Sequence, residues 1–488
     1  MGIEGVNLRE ELERATGTME ASRQLRGVSL ALRALLLLAV AALTTIALGG
    51  ALRSRAPDAV VGGFVVNLLL FATMAAALRT FRPTIYYDRR ALALLTALAA
   101  VMVLAAAGTL RIRPGSPELV PIAFVGIVVS ALFDRRVGLL TVVLLTVLIA
   151  AQPAFREPAS LPVLLAAGTA AALAVRETRS RDQSYLWIII VAAVTSVAIV
   201  SAGVAASAPR GYLLAGAIRA VATSVVAVIG AMLFLPMAER ISGRETQLTL
   251  LEWGDPHHPL LQRLSLEAPG TYAHTVAIAN MAEAACRAIG ANALLARVGA
   301  YYHDIGKLVK PLYFVENQPR GRNPHDKLKP GTSASIIRNH VREGLELADS
   351  VGLPASIRAF ITEHHGTNTI AYFMERARER DGALLNPAEF TYPGPVPQSA
   401  ETAVVMLADG AEAAARSLGQ PTPERVREVI DHMVSERLEQ GQLRDTPLTL
   451  RQLTLVKREF ARVLGGMYHA RVEYPTPAAP TTTQSATI

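Results

Sequence analysis

The sequence predicts an all-α protein built in two parts, a polytopic transmembrane helix bundle followed by an all-helical domain outside the membrane. Apolar residues make up 51% of the 488 residues but are spread unevenly, so two regions with different solvents are expected. Before about residue 240 the chain consists of Ala, Leu and Val runs separated by short Arg-bearing connectors. Afterwards apolar residues recur at helical spacing among charged residues and histidines. Few runs alternate in the manner of strands.

In the first part, candidate spans cover 30–50, 57–78, 91–110, 118–133, 137–153, 160–175, 186–207 and 213–238, several of them near the roughly 20 residues a spanning helix needs. Eight crossings follow, with the fourth to sixth notably short. Arg9, Arg14, Arg23 and Arg26 precede the first run, and Arg79, Arg82, Arg89, Arg90, Arg135, Arg136, Arg176, Arg179, Arg181, Arg240 and Arg244 fall on the same side. The other side receives only Arg53, Arg55, Arg111, Arg113, Arg156 and Arg210. Because Arg and Lys accumulate on the cytoplasmic side of short loops, this places both termini and the C-terminal domain in the cytoplasm of a multi-pass protein of the cell membrane. The first run is too long, and its preceding segment too mixed in charge, for a signal peptide. Arg219, just inside the last span, is expected to snorkel to the outer interface.

The single cysteine, Cys286, excludes an intramolecular disulfide framework and reads as a small buried apolar residue. The net charge of +8 sits largely in connectors, so it reports membrane orientation and the bilayer is the expected partner, not a nucleic-acid polymer. The expected organisation is an N-terminal segment 1–28, a transmembrane domain 29–239, a linker 240–266, a helical domain 267–475 and a disordered low-complexity tail 476–488. One helix through the Leu-rich stretch 247–264 is expected to couple the last span to the site. A homo-oligomer is left open.

In the second part, Val276, Ile278, Ala279, Met281, Ala282, Ala285 and Ile289 recur at helical spacing, and Gly290 supplies a stop. Further helices are expected at 292–305, 332–350, 354–366, 368–380, 399–418, 422–440 and 448–469. The Pro-, Gly- and Asn-rich stretches 317–331 and 386–398 are loops long enough to carry function.

Seven residues stand out as possible ligands: His274, the pair His303-Asp304, His340, the pair His364-His365, and Asp409. A lone helical histidine is usually a satisfied core or surface residue, but as a set these imidazoles and carboxylates suit a two-metal site with a bridging carboxylate. Two divalent transition-metal ions, iron or manganese, are therefore expected. The pair His303-Asp304 ends a helix just before Gly306, so its side chains can splay towards two ions. Asp409 lies on an otherwise apolar helix, where an unpaired carboxylate would cost several kcal/mol. His257, His258, His325, His432 and His469 lack such neighbours and read as non-ligands.

At these residues the chain resembles the HD-domain hydrolases. Its longer motifs, EAPGTYAHT (267–275), LLARVGAYYHDIGKL (294–308), ENQPRGRNPHDKLKP (316–330), HHGTNTIAYF (364–373), TYPGPVPQSAETA (391–403) and MLADGAEAAARSL (406–418), resemble the seven-transmembrane HD family that includes the PgpH-type cyclic di-AMP phosphodiesterases. That resemblance implies one ion on His274, His303, Asp304 and Asp409, a second on Asp304, His340, His364 and His365, and hydrolysis of cyclic di-AMP to linear 5′-pApA. Relatives often carry a large extracellular domain after the first span; here that position is a short connector. The branch acting on cyclic di-GMP continues its double histidine with Glu and later carries Gly-Tyr-Pro, whereas Gly366-Thr367-Asn368 follows here.

Asp304 and Lys307 are the expected catalytic residues, Lys307 adding a cation beside the phosphate; a surface lysine favouring a helix dipole is its other reading. Lys310, Asn317, Arg320, Asn368 and Tyr372 are candidates for substrate contact, with Phe373 as a further stacking ring. Two other functions stay open: a phosphohydrolase for another cyclic dinucleotide or nucleotide, and a membrane receptor that senses a nucleotide without cleaving it.

Overall fold

A computed structural model describes residues 30–48, 57–175, 183–319, 323–381, 386–418 and 422–467. The N-terminal segment 1–28, the tail and Arg320 fall outside them. The chain divides into two compact units, Met1–Thr249 and Leu250–Ile488. The described residues hold no β-strand, only the isolated bridge between Thr369 and Thr391.

Eight apolar helices occupy the positions read as spans. Five are long and apolar enough to cross a membrane: α1 (Leu30–Leu48), α2 (Pro57–Phe81), α4 (Arg89–Ile112), α8 (Gln183–Ala205) and α9 (Arg210–Ser242), with the short α3 (Pro83–Tyr87) between the second and third of these. The other three are α5 (Ile122–Leu132), α6 (Arg135–Ala150) and α7 (Ser160–Ala174). At about 1.5 Å per residue, α5 reaches only about half of the roughly 30 Å hydrocarbon layer. The eight expected crossings are thus eight apolar helices, five of them of spanning length. Nearly all of α5 is buried, which explains why it is apolar all round. The prolines 114, 117 and 121 keep the chain before it out of α-helix, and the Asp134 carboxylate caps α6 after it by accepting from Val137 N at 2.9 Å.

Several polar groups within this unit pair across long stretches of chain. Thr45 of α1, Asn67 of α2 and Gln152 after α6 form a buried relay, in which Gln152 Nε2 donates to Asn67 Oδ1 at 2.8 Å and Asn67 Nδ2 donates to Thr45 Oγ1 at 3.0 Å. Arg219 does not snorkel as expected. Its Nε donates at 2.7 Å to Glu118, whose side chain is wholly buried in the 3₁₀ turn Pro117–Leu119. The partner lies 101 residues away in sequence, beyond any local pattern.

The second unit is built from α10 (Gln247–Trp253, entered at Leu250), α11 (Pro259–Glu267), α12 (Pro269–Ile289), α13 (Ala293–Tyr302), α14 (Pro330–Val351), α15 (Ala355–Glu363), α16 (Ala371–Asp381), α17 (Ala400–Arg416), α18 (Pro423–Glu439) and α19 (Leu450–Met467). The expected single helix through 247–264 is two, α10 and α11, separated by Gly254-Asp255-Pro256. Leu250, Leu260, Leu261 and Leu264 belong to this unit's core, so much of the stretch read as a linker folds with the domain. Helix α17, capped by Ser399 and Thr402 in a reciprocal box, buries Thr402 to Ala408 without a break. It is the axis around which α12, α13, α15, α18 and α19 pack. Cys286 is fully buried there as expected.

Breaking the buried pair in the first unit gives a test. Arg219→Ala leaves Glu118 buried and uncompensated, and is expected to cost about 3–5 kcal/mol, while the double change Glu118→Gln/Arg219→Gln costs less. Thermal unfolding of the detergent-solubilised protein compares them; a double variant that loses more than Arg219→Ala would show that the two side chains contribute independently.

Candidate metal centre

Each of the seven ligand candidates stands at a place that its helix or turn makes rigid. His274 lies on the buried stripe of α12, a turn after Thr271 and a turn before Ile278. His303 closes α13, whose start is capped by Asn292 accepting from Leu295 N at 3.1 Å. Asp304 then enters the 3₁₀ turn Ile305–Val309, so the adjacent side chains diverge. His340 is mid-way along α14, His364 closes α15 with His365 next to it, and Asp409 sits on α17.

Two glycines bring these pieces together. A Cβ on Gly306 would lie 1.8 Å from the His340 carbonyl oxygen, and one on Gly299 would lie 2.3 Å from the Phe360 ring. The first sets the His303-Asp304 turn directly against α14, and the second sets α13 against α15. Neither contact survives a side chain.

The result is a cluster around the Asp304 carboxylate whose two oxygens divide the imidazoles. Oδ1 faces His340 Nε2 at 3.4 Å and His364 Nε2 at 3.6 Å; Oδ2 faces His303 Nε2 at 3.2 Å and His274 Nε2 at 3.6 Å. Asp409 closes the ring, 3.1 Å from His274 and 3.8 Å from His365. Two groups could each hold an ion: His274, His303 and Asp304, and Asp304, His340, His364 and His365, with ligand atoms within 4.8 Å of one another. Among the other described histidines, His257, His258, His325 and His432 lie outside both groups. His325 is pinned by Tyr313 O at 2.8 Å and packs on Phe373, which assigns that ring to a small core. His469 falls outside the described residues.

The imidazoles are aimed by their other nitrogens. Nδ1 of His303 bonds to Ala300 O at 2.7 Å, that of His340 to Ile337 O at 2.6 Å and that of His364 to Phe360 O at 2.9 Å. Each ring thereby keeps its proton on Nδ1 and presents a lone pair on Nε2. His365 is held differently, stacked on Tyr392 with centroids 4.2 Å apart.

The donor set fits divalent metal. His303 Nε2 and Asp304 Oδ1 are buried without a hydrogen-bond partner, an arrangement that costs free energy unless a cation meets them. Burial, reinforced by His303, pushes His364 down to about 3, and burial likewise lowers His340 and His365. Burial opposes the charge of Asp304, yet His303 and Lys307 outweigh it and hold the carboxyl well below its usual range. Neutral imidazoles and ionised carboxylates are the forms that bind metal. His274 is the exception: burial would lower it, but Asp409 and Glu412 raise it to about 9, so an ion there displaces a proton.

The expected substrate contacts are scattered. Lys307 is not a surface lysine; its Nζ lies 2.7 Å from Asp304 and 2.9 Å from Glu316. Asn317 is committed to the fold, with Oδ1 accepting from Thr271 N at 3.1 Å and Nδ2 donating to Thr271 Oγ1 at 2.8 Å. Asn368 is buried with Oδ1 unpartnered, while Lys310 and Tyr372 are exposed.

Sequence reading missed Glu412, Glu316 and Tyr392. Glu412 Oε2 bonds to His274 Nδ1 at 2.9 Å and pairs with Arg416. Its position one turn after Asp409, on the same face of an apolar helix, was the available signal.

Residues 58–246 match the family described as 7TM receptor with intracellular HD hydrolase, and residues 271–414 match the HD domain. The cyclic-di-AMP phosphodiesterase PgpH of Bacillus subtilis is 43% identical over 263 residues, 54% of this chain. The protein of the same name from Listeria monocytogenes is 41% identical over 241 residues, 49% of this chain. The matched regions amount to 36% and 33% of those relatives' own lengths. The crystal structure of the L. monocytogenes PgpH HD domain is 41% identical, covering 44% of this chain and 100% of its own with a TM-score of 0.42. The chain belongs to the seven-transmembrane family that carries an HD hydrolase domain, and is a multi-pass membrane protein.

Glu412→Ala is expected to weaken metal retention by about 10–100-fold, as loss of a carboxylate behind a metal-bound histidine does, with Glu412→Gln intermediate. Metal analysis of the purified protein after graded chelation reads this; unchanged retention in both variants would remove Glu412 from the site.

Proposed function

We propose that this protein is a membrane-anchored phosphodiesterase that hydrolyses cyclic di-AMP to linear 5′-pApA, using two divalent ions, iron or manganese, held by His274, His303, Asp304, His340, His364, His365 and Asp409. The observation that carries the reading is the division of four imidazoles between the two oxygens of Asp304, in a chain whose named relatives are cyclic-di-AMP phosphodiesterases. The catalytic domain then faces the cytoplasm, the side to which connector charge assigns it.

When bound, such ions lower the pKa of water towards neutrality and offset charge on a phosphodiester. The protein's part is orientation. His303, His340 and His364 present fixed Nε2 lone pairs, and Asp304 offers one oxygen to each half of the site. Lys307 keeps its proton: burial opposes the charge, but Asp304 and Glu316 raise its pKa. Its ammonium therefore stands beside the place where the phosphate gains charge as water adds to phosphorus and the ribose 3′ oxygen leaves with a proton. Asn368 supplies a buried amide for a purine edge, and Lys310 and Tyr372 reach the substrate from the rim.

The test is turnover by purified full-length protein, loaded with manganese or iron, of cyclic di-AMP, cyclic di-GMP and guanosine tetraphosphate. Cyclic di-AMP is expected to be cleaved preferentially, and Lys307→Ala to lower kcat by about 10²-fold. Equal cleavage of cyclic di-GMP would overturn the substrate assignment. Unchanged turnover in His303→Ala/Asp304→Ala would overturn metal catalysis, and tight binding without cleavage would favour a receptor.

A further inference from the structure

We propose that the membrane unit has a ligand site of its own, in the cavity between α1, α2 and the end of α6, and that it takes a small zwitterion, a phosphate or carboxylate next to an ammonium. The cavity measures about 450 Å³, within the range of small-molecule sites. It opens at the end of the bundle that connector charge assigns to the outside. Among its described lining residues none is acidic, and the cation is Arg156.

The floor is the amide relay, and the relay dictates which atom faces the cavity. Thr45 Oγ1 donates to Ala41 O at 2.8 Å, so its oxygen is left to accept from Asn67 Nδ2. That turns Asn67 Oδ1 towards Gln152, whose Nε2 donates both to it and to Leu148 O, each at 2.8 Å. Both Gln152 protons are then used. Its Oε1 takes no hydrogen bond from any described residue, although Gln152 is 95% buried, being 5% exposed. That oxygen is open to the cavity, where it can accept from a bound donor. The cavity thus pairs one oriented acceptor with one guanidinium, which complements an ammonium joined to an anion. Two sources carry that chemistry: the headgroup of an ethanolamine phospholipid and a free amino-acid-like solute.

The experiment uses the full chain in phosphatidylcholine nanodiscs, with O-phosphoethanolamine and glycine as soluble probes and calorimetry as the readout. Saturable binding of at least one probe is expected, weakened by roughly tenfold or more in Arg156→Ala. Gly63→Leu is expected to abolish it by filling the cavity; nothing lies within 4 Å of a Cβ added at Gly63, so the fold accommodates the change. Competition when phosphatidylethanolamine is included in the disc supports the site with lipid as its source. Probe binding unaffected by that lipid supports it with a soluble source. Absence of saturable binding for both probes together with no effect of phosphatidylethanolamine on thermal unfolding, or wild-type binding in both variants, would overturn the proposal.

Discussion

A carboxylate that is almost wholly removed from water cannot keep its charge unless cations or hydrogen-bond donors surround it. Asp304 meets that condition with imidazoles on both oxygens and the Lys307 ammonium against one of them. Much else in the domain serves this arrangement. The turn after α13 separates Asp304 from His303, Gly306 admits α14 at backbone distance, and backbone carbonyls one turn earlier aim three of the rings. The convergence is possible because α17, which carries Asp409, has α12, α13 and α15 packed on it, while α14 packs on α15 and on the turn after α13.

The two ends of the cluster are not equivalent. One is all imidazole apart from the shared Asp304. The other adds Asp409 and a histidine backed by Glu412, which Arg416 holds in turn. A carboxylate behind an imidazole makes it a more basic ligand than a carbonyl does, so His274 is the most basic of the rings. The difference lies in the protein itself, before any ion arrives.

The membrane unit obeys the same rule in another solvent. Lipid offers no hydrogen bonds, so each polar group inside the bundle needs a partner within it. Arg219 finds Glu118, and Asn67 finds Thr45 and Gln152. These pairings also tie segments remote in the chain, the turn before α5 to α9 and α1 to α2 and α6, where apolar packing between helices alone would leave their registers less defined.

How far the sequence reached depended on the range of the interaction concerned. Helical periodicity and the Gly290 stop are local, and they placed the helices of the second unit within a few residues. The seven ligand candidates were legible as a set because His303-Asp304 and His364-His365 come in pairs and Asp409 interrupts an apolar run. Hydropathy found eight apolar helices but could not distinguish one that spans from one buried inside the bundle, since both are apolar all round. Composition and periodicity thus determined two all-helical units and a metal-ready residue set. Only tertiary structure decided that Arg219 turns inward to Glu118, that Lys307 is held between two carboxylates, that Asn317 is committed to α12 and that Glu412 stands behind His274. Each of those outcomes depends on a partner brought close by folding, and the free energy of burying a charge is defined by that partner, not by the neighbours along the chain.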